Sequence, residues 1–397
     1  MQARYAHVND WPAWYRNRLP ENWGGDKLQA WIDSAQPVSD KQGDHVLTDL
    51  LVAMDWELRG VDDPSLPADK AKVAEILREI EPLIPGLSAL AGYQNLALLP
   101  HFAEGFPGYR VMPTIRAFQL IRFRVAANMF LGNWAAAWQE LLLLHEVVKR
   151  MEPASSIVPS RIVYGMEKWC MDLVALGLRH VAAPREILEQ WAVEPAQNPD
   201  RLLELVDVEL AMIAQASRLR DSEEWIADFG IWSEEVPDGS GWFGYLQPEL
   251  SWRERKQAWS GPQESAEFAS GYINGMLAAA DGLRAGIAPE QIRVEADVWF
   301  YQQVRLEAEM TLRRRFTACL ARIRLAELDH ADEAALQDAL DTLAAEYPEL
   351  ELERTPGGIV LKFRDTPDNR KYLNYDEEGG ESFHEANPPV TLKPLKP

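Results

Sequence analysis

The residues from 113 to 180 constrain the fold most, because their apolar positions recur at the three- and four-residue spacing of amphipathic helices. This spacing predicts three long helices, each with an apolar stripe that a neighbour must cover. The stripes are Phe118, Ile121, Val125 and Met129, then Trp134, Trp138, Leu141, His145 and Val148, then Ile162, Met166, Trp169, Leu173, Leu176 and His180. Gly132 and Asn133 separate the first two helices, so the stretch predicts a helical hairpin with a third layer.

The same periodicity continues along most of the chain and ends in a short β segment. Further helices are predicted over 44–60, 68–81, 87–99, 185–193, 199–220, 263–285, 287–330 and 332–346. Residues 357–363 and 371–375 alternate like two strands of a hairpin around a turn at 365–369, and the tail from 378 looks frayed. The sequence therefore predicts an all-α fold of irregular stacked helical hairpins, a tetratricopeptide-like array, with a small C-terminal β-hairpin.

Composition divides the chain into five predicted regions. They are a Trp-rich N-terminal helical region (1–112), a central helical-hairpin array (113–220), an aromatic loop region (221–262), C-terminal helices (263–346), and the β-hairpin with its frayed tail (347–397). In the first region Trp11, Trp14, Trp23 and Trp31 stand among Pro and Gly residues, which favours short helices and loops laid over the body. Aromatic rings bury large areas, so this segment is interpreted as an anchoring strap.

The central hairpin resembles a tetratricopeptide unit at a few positions. Gly132-Asn133-Trp134 matches the turn of such units, Ala137 matches the small residue of the second helix, and Pro153 matches the terminating proline. The distance from glycine to proline is about one helical turn longer than in that family, and Leu144 occupies the place of its second small residue. The resemblance therefore implies helix–turn–helix logic and does not imply a regular superhelix.

Residues from about 93 to 180 and 316 to 380 resemble a family of bacterial envelope proteins. The resemblance rests on Gly132-Asn133-Trp134, on the segment beginning at Ala321, and on the Asp-Glu-Glu-Gly-Gly sequence that starts at Asp376. The family is mostly helical, is commonly tethered by an N-terminal transmembrane helix, and ends in a tail similar to type II secretion pseudopilins. The resemblance implies a periplasmic or envelope location. It carries no calcium site here, because the Asp-Pro-aromatic-Gly segment that normally precedes the acidic residues is absent.

The formal net charge of −22 argues against a nucleic-acid partner and against general adhesion to anionic membranes. No segment approaches the eighteen or so apolar residues of a membrane span, and the removal of an anchor or signal is left open. The charge is uneven: residues 113–180 have a net charge of +3 and residues 321–386 a net charge of −10. One interpretation is that these oppositely charged regions meet within the molecule or face different solvent. The alternative is that one of them docks a partner. The arginines of the predicted helix 287–330 are interpreted as a solvated face, partly neutralised by Glu307 and Glu309.

Reactive groups are scattered, so no reaction class has motif support. No two histidines have metal-ligand spacing, and His145 and His180 lie on apolar stripes where core packing is the favoured interpretation. Cys170 and Cys319 are interpreted as small buried residues, with one long-range disulfide as the alternative. No phosphate loop, nucleophile elbow or dinucleotide fingerprint is present. We therefore expect no cofactor and no metal.

Two functions of different classes remain. The first is a non-catalytic protein-interaction or scaffold protein, whose partner is another protein bound by aromatic residues of the irregular region. Those residues are Trp232, Trp242, Phe243, Tyr245, Trp252 and Trp259. The alternative is an α/α-toroid glycoside hydrolase or a glycan-binding protein that uses Trp-rich loops and paired carboxylates. The candidate acids are Asp228, Glu234, Glu235 and Asp238.

Overall fold

The computed structural model describes residues 8, 11–60, 68–98, 101–103, 106–108, 111–151, 157–180, 183–194, 201–219, 262–292, 298–330, 332–373, 383 and 387–394. The helices are α1 (Trp11–Arg16), α2 (Gly25–Gln42), α3 (Asp44–Arg59), α4 (Lys70–Ile80), α5 (Ile84–Leu90), α6 (Val111–Phe130), α7 (Trp134–Met151), α8 (Ile157–His180), α9 (Arg185–Trp191), α10 (Arg201–Leu219), α11 (Pro262–Arg284), α12 (Val298–Asp329), α13 (Glu333–Glu346) and α14 (Pro367–Tyr372). The strands are β1 (His101–Ala103), β2 (Phe106–Gly108), β3 (Leu350–Thr355), β4 (Gly358–Phe363) and β5 (Val390–Leu392). Helices dominate these residues, which confirms the predicted all-α class with a small C-terminal β-hairpin.

The central hairpin forms where the sequence places its turn. Helix α6 ends in a backbone cap in which Asn133 N–H donates to the Asn128 carbonyl at 2.8 Å and Gly132 N–H donates to the Met129 carbonyl at 3.0 Å. Gly132 has a φ of 80°, a left-handed conformation that glycine adopts without steric cost. This cap reverses the chain, so α7 packs back on α6 and α8 packs on both.

Four helices from different parts of the sequence run in the same direction. We call α3, α6, α8 and α12 the parallel layer. The contacts that establish their order are Asp44 with Arg116 and Thr48 with Gln119 between α3 and α6, Arg122 with Trp169 and Met129 with Gly177 between α6 and α8, and Ser160 with Gln303 and Leu178 with Arg324 between α8 and α12. Helix α7 covers α6 and α8, whereas α9 and α13 pack on α12. The described chain is therefore a stack of helical hairpins.

Two hydrophobic cores lie along this stack. The main core extends from Leu28 in α2 to Leu392 in β5. The second core is built from α1, α10, α11 and the first turns of α12, where Phe300 and Val304 are buried. Because α12 contributes to both cores, this single helix connects them.

The tryptophans of the N-terminal segment are packed against the body. Trp31 meets the ring of Phe118 edge-on at 5.3 Å, and its indole N–H donates to the Leu83 carbonyl at 3.0 Å. The indole N–H of Trp23 donates to the Ala97 carbonyl at 2.9 Å. These contacts match the expected anchoring strap. Trp31, however, lies in α2, an 18-residue helix that the prediction of short helices missed.

A buried ion pair joins the two helices of the central hairpin. Arg124 on α6 donates from Nε to Glu140 Oε1 on α7 at 2.8 Å, and its Nη1 lies 2.6 Å from Glu81 Oε2. Asn128 Nδ2 donates to Glu140 Oε2 at 2.8 Å. Both partners of the Arg124–Glu140 pair are buried, so each neutralises a charge that burial alone would penalise.

The predicted solvated face of arginines on α12 is wrong for most of its members. The pair between Arg313 and Glu309, at 2.7 Å, is the expected contact one turn apart. Arg314 instead donates to both carboxylate oxygens of Glu167 on α8, at 2.6 and 2.7 Å. Arg324 is only 1% exposed, and it donates to the carbonyls of Leu178 and Lys393. Since neighbours cover α12 on several sides, its arginines bury their stems and bind groups on other elements.

The predicted strand at 357–363 is confirmed as β4, but its partner in the hairpin differs from the one predicted. Strand β3 pairs antiparallel with β4, from Leu350 opposite Phe363 to Thr355 opposite Gly358. The predicted strand at 371–375 is wrong through residue 372, because residues 367–372 form α14. The predicted frayed tail is also wrong at 390–392, because these residues form β5 on the other edge of β4.

The Thr366 side chain explains the helix that replaces the predicted strand. Its Oγ1 accepts a hydrogen bond from Asn369 N–H at 3.2 Å, and Pro367 occupies the start of the helix. A capping threonine followed by proline is a helix-start signal.

Other boundaries differ from the prediction by short segments. Helix α5 ends at Leu90 where the prediction continued to residue 99, and β1 and β2 pair in a segment for which no strand was predicted. The long C-terminal helix begins at Val298, after a short 3₁₀ turn over Pro289–Gln291.

Candidate functional site

The predicted aromatic site lies outside the described residues. This applies to Trp232, Trp242, Phe243, Tyr245, Trp252 and Trp259, and equally to the candidate acids Asp228, Glu234, Glu235 and Asp238. The assignment of a binding role to these residues therefore stays a prediction. The described residues contain a different candidate, located on the parallel layer.

Three helices of the parallel layer keep a partly exposed stripe at helical spacing. The stripes are Thr48, Val52, Asp55 and Arg59 on α3, Met112, Ile115, Gln119 and Arg122 on α6, and Lys168, Asp172 and Arg179 on α8. A hydrogen bond of 3.3 Å from Gln119 Nε2 to Thr48 Oγ1 connects the first two stripes. The face carries apolar groups as well, since Val52 and Met112 are among the exposed large hydrophobic residues.

Charged side chains from all four helices gather on this face. We call them the charge cluster. Its members are Arg59, Arg122, Lys168, Arg179 and Arg313 with Asp55, Asp172 and Glu309. Five cations and three carboxylates leave a net charge of +2, on a chain whose formal net charge is −22. The cluster is therefore a local positive field on an acidic protein.

Arg122 is the member with the least compensation. Its guanidinium lies 5.0 Å from the centre of the Trp169 ring, a cation–π arrangement. Burial lowers the pKa of this guanidinium, and Asp172 and Asp55 offset only part of the effect. Within the described part of the chain, Arg122 forms no hydrogen bond and no ion pair. A half-buried cation without a hydrogen-bonding partner is poised to accept an anion.

Asp172 stands in the same cluster without a close partner. Lys168, Arg313, Arg122 and Arg59 act on its carboxylate, yet among the described residues none lies within the 4.0 Å of an ion pair. The side chain is exposed, but loss of hydration still raises the pKa of the carboxyl above its ordinary value. Arg122 and Asp172 therefore place charges of opposite sign in the same cluster.

Ion pairs hold other members of the charge cluster together. Arg59 binds Asp55 at 2.8 Å, and Glu309 receives both Arg313 at 2.7 Å and Lys168 at 3.7 Å.

Arg179 closes one end of the cluster through the C-terminal tail. It donates to the Pro389 carbonyl at 2.9 Å, and burial together with the nearby Arg59 lowers the pKa of its guanidinium to about 10. Among the described residues, Arg122 and Asp172 are therefore the cluster members that no ion pair or hydrogen bond engages.

The two stripe histidines pack against tryptophan rings. His145 stacks on Trp191 with ring centres 4.0 Å apart, and burial lowers the pKa of its imidazole to about 3. His180 stacks on Trp134 at 6.1 Å, and burial lowers the pKa of that imidazole too. Among the residues that the structure describes, no group of three or more His, Cys, Asp or Glu side chains could hold a metal ion.

Both cysteines are buried free thiols, which confirms their predicted structural role. Burial raises the pKa of both, that of Cys319 to about 12, so neither is an activated nucleophile.

Comparisons with known proteins give no match to a family model, to a curated protein or to a solved structure. None of the helices in the described ranges is long and apolar enough to cross a membrane. The sequence places Arg122 in a basic segment and Trp169 on an apolar stripe. Their contact across 47 positions has no local signal, so sequence reasoning missed this site.

Proposed function

We propose that this chain is a non-catalytic protein-interaction or scaffold protein, and that the parallel layer is its binding face. The observation that carries the proposal is Arg122, a partly buried cation that lies over the Trp169 ring and forms no ion pair among the described residues. Stacked helical hairpins commonly bind partners across a face built from successive helices. Arginine and tryptophan are also enriched among the residues that dominate binding energy.

The enzymatic alternative has weaker support. A glycosidase needs two carboxyl groups that face each other across the sugar, one of them protonated. The carboxylates of the charge cluster, Asp55, Asp172 and Glu309, stand among cations, and two of them are already in ion pairs. The hydrolase or glycan-binding hypothesis therefore rests on acids outside the described residues. The envelope location is part of our proposal, supported by the resemblance of residues 93–180 and 316–380.

Site-specific photo-crosslinking of the full chain in native envelope tests this proposal. A crosslinking residue at Gln119 sits on the parallel layer, and one at Asp338, exposed on α13, serves as the matched control. We expect one defined protein to be captured from Gln119 and not from Asp338, and we expect it, once purified, to bind the full chain with fixed stoichiometry. Equal capture at both positions, or failure of the purified candidate to bind, would refute the proposal.

A further inference from the structure

We infer that the parallel layer receives a short acidic peptide segment, with one carboxylate of that segment seated on the Arg122 guanidinium. This inference rests on the proposed function and names the chemistry of the partner. It depends on three features of the described residues: the state of Arg122, the position of Asp172, and the apolar groups beside the cluster.

The geometry of Arg122 suits a carboxylate. Its Cζ lies 5.0 Å from the centre of the Trp169 ring, and among the described residues no hydrogen bond or ion pair occupies its N–H groups. A planar N–H edge binds the two oxygens of a carboxylate as a fork, which a lysine cannot do. Because partial burial has already removed some of the water around Arg122, a new charge-assisted bond there is stronger than one on an open surface.

The other members of the cluster favour a ligand group with a single negative charge, such as one carboxylate. Glu309 and Asp55 already form ion pairs with Arg313, Lys168 and Arg59, so these three cations are bound within the cluster. Asp172 is close enough to act electrostatically on Arg122, so it disfavours a second negative charge on the same ligand group. Phosphate dianions and nucleic-acid backbones need several unpaired cations, and the chain's charge of −22 opposes them further.

The surroundings of the cluster fit a peptide better than a free carboxylic acid. The α6 stripe runs from Met112 to Arg122, a distance of about 15 Å along a helix, which spans about four or five residues of an extended segment. Met112 and Val52 expose apolar surface along this path. An acidic side chain flanked by apolar residues would cover both parts.

Fluorescence anisotropy of the full chain with a labelled, end-capped hexaglutamate peptide tests the inference. Hexaserine and hexalysine peptides serve as probe controls, and inorganic phosphate serves as competitor. We expect hexaglutamate to bind at about 0.01 M ionic strength and more weakly at about 0.15 M, because salt screens exposed charges. Neither control peptide should bind comparably, and phosphate should not displace the peptide at matched concentration.

Variants then locate the contact and show whether each charge strengthens or weakens peptide binding. Arg122→Gln should weaken hexaglutamate binding by about tenfold to a hundredfold, and Arg122→Lys should restore only part of the loss. Asp172→Asn should strengthen binding several-fold, because it removes a like charge. Arg78→Gln, on an exposed position of α4 outside the cluster, should change nothing. Since Arg122→Gln removes an unpaired desolvated charge, its thermal midpoint should equal or exceed that of the wild type.

The results separate this inference from the proposed function. If hexaglutamate does not bind, if Arg122→Gln behaves like Arg78→Gln, or if Asp172→Asn weakens binding, the acidic-segment inference is wrong. Capture of a defined protein at Gln119 would still support the interaction function in that case. If phosphate displaces the labelled peptide as effectively as unlabelled glutamate peptide does, the ligand of this site is a phosphate group and not a peptide. Arg122-dependent binding of hexaglutamate without any protein partner would overturn the proposed function and leave an anion-binding protein.

Discussion

Replacing Arg124 by methionine isolates the energetic role of the buried ion pair in the central hairpin. Arg124 contacts Glu140 through Nε and Nη2, at 2.8 and 2.7 Å, and also reaches Glu81 and the Leu77 carbonyl. When the guanidinium is removed, Glu140 keeps, among the described residues, the 2.8 Å hydrogen bond from Asn128 and no counter-ion. A carboxylate that is about nine-tenths buried then lacks a counter-ion, since the side chain of Glu140 is 11% exposed.

The size of the effect follows from this loss. Removing one partner of a buried ion pair costs about 3–5 kcal/mol, because the remaining charge stays desolvated. A unit of 150–250 residues loses about 2–4 °C in thermal midpoint per kcal/mol, so the Arg124→Met variant should melt about 6–20 °C lower. The Arg124→Met/Glu140→Met double variant has no buried charge and loses mainly the Asn128 bond, about 1–3 kcal/mol. The double variant should therefore be more stable than the single one.

Differential scanning calorimetry of the full chain at neutral pH measures both midpoints. Arg116→Gln is the matched control, because Arg116 pairs with Asp44 at 2.9 Å on a surface where both side chains are about one-third exposed. That pair should be worth at most about 1 kcal/mol. The reasoning is refuted if Arg124→Met costs no more than Arg116→Gln, or if the double variant melts at or below the single one.

Three further predictions concern packing and protonation. The fold lowers the pKa of His145 to about 3, so the neutral imidazole contributes stability above pH 6.5 that is lost as pH falls toward 3. At pH 5 this loss is about 1–2 kcal/mol. The melting temperature of His145→Phe should therefore fall less between pH 7 and pH 5 than that of the wild type. A Cβ at Gly177 would lie 2.6 Å from Cη2 of buried Trp138, so Gly177→Ala should lower the free energy of unfolding by about 1–3 kcal/mol in calorimetry. If the same substitution costs as much in a Trp138→Phe background, the effect is not steric. Arg324→Met should accelerate hydrogen exchange in 390–392, because the carbonyl of Lys393 loses its 2.9 Å donor; unchanged exchange there would show that the strand ladder alone holds the tail.

Local patterns in the sequence predict most helices of this chain. The apolar stripe over residues 118–129 and the left-handed glycine at 132 define α6 and its turn, because spacing and backbone freedom act within a few residues. The β-hairpin is predicted only in part. Strand β3 has a polar pattern that resembles the preceding acidic helix, and the cap formed by Thr366 is easily interpreted as a turn. Boundaries were missed where tertiary packing decided between two local signals.

The candidate site depends on contacts that no local pattern encodes. Arginines on α12 can be counted in the sequence, yet the choice between water and a buried carboxylate depends on Glu167, which lies 147 residues away from Arg314. Arg122 and Trp169 are likewise on different helices, and each has an ordinary interpretation in its own segment. Such pairs become visible only when the order of the helices in the parallel layer is known.

The separation between α8 and α12 also has a consequence for biosynthesis. At translation rates of about 5–20 residues per second, about 7–30 s pass between the appearance of Glu167 and that of Arg314 on the ribosome. The hairpin formed by α6 and α7 can form early, while the side of α8 that later packs on α12 remains exposed to solvent with its apolar residues uncovered. Folding of this protein therefore finishes late in its synthesis. A nascent chain halted before α12 should bind chaperones that recognise exposed apolar helices.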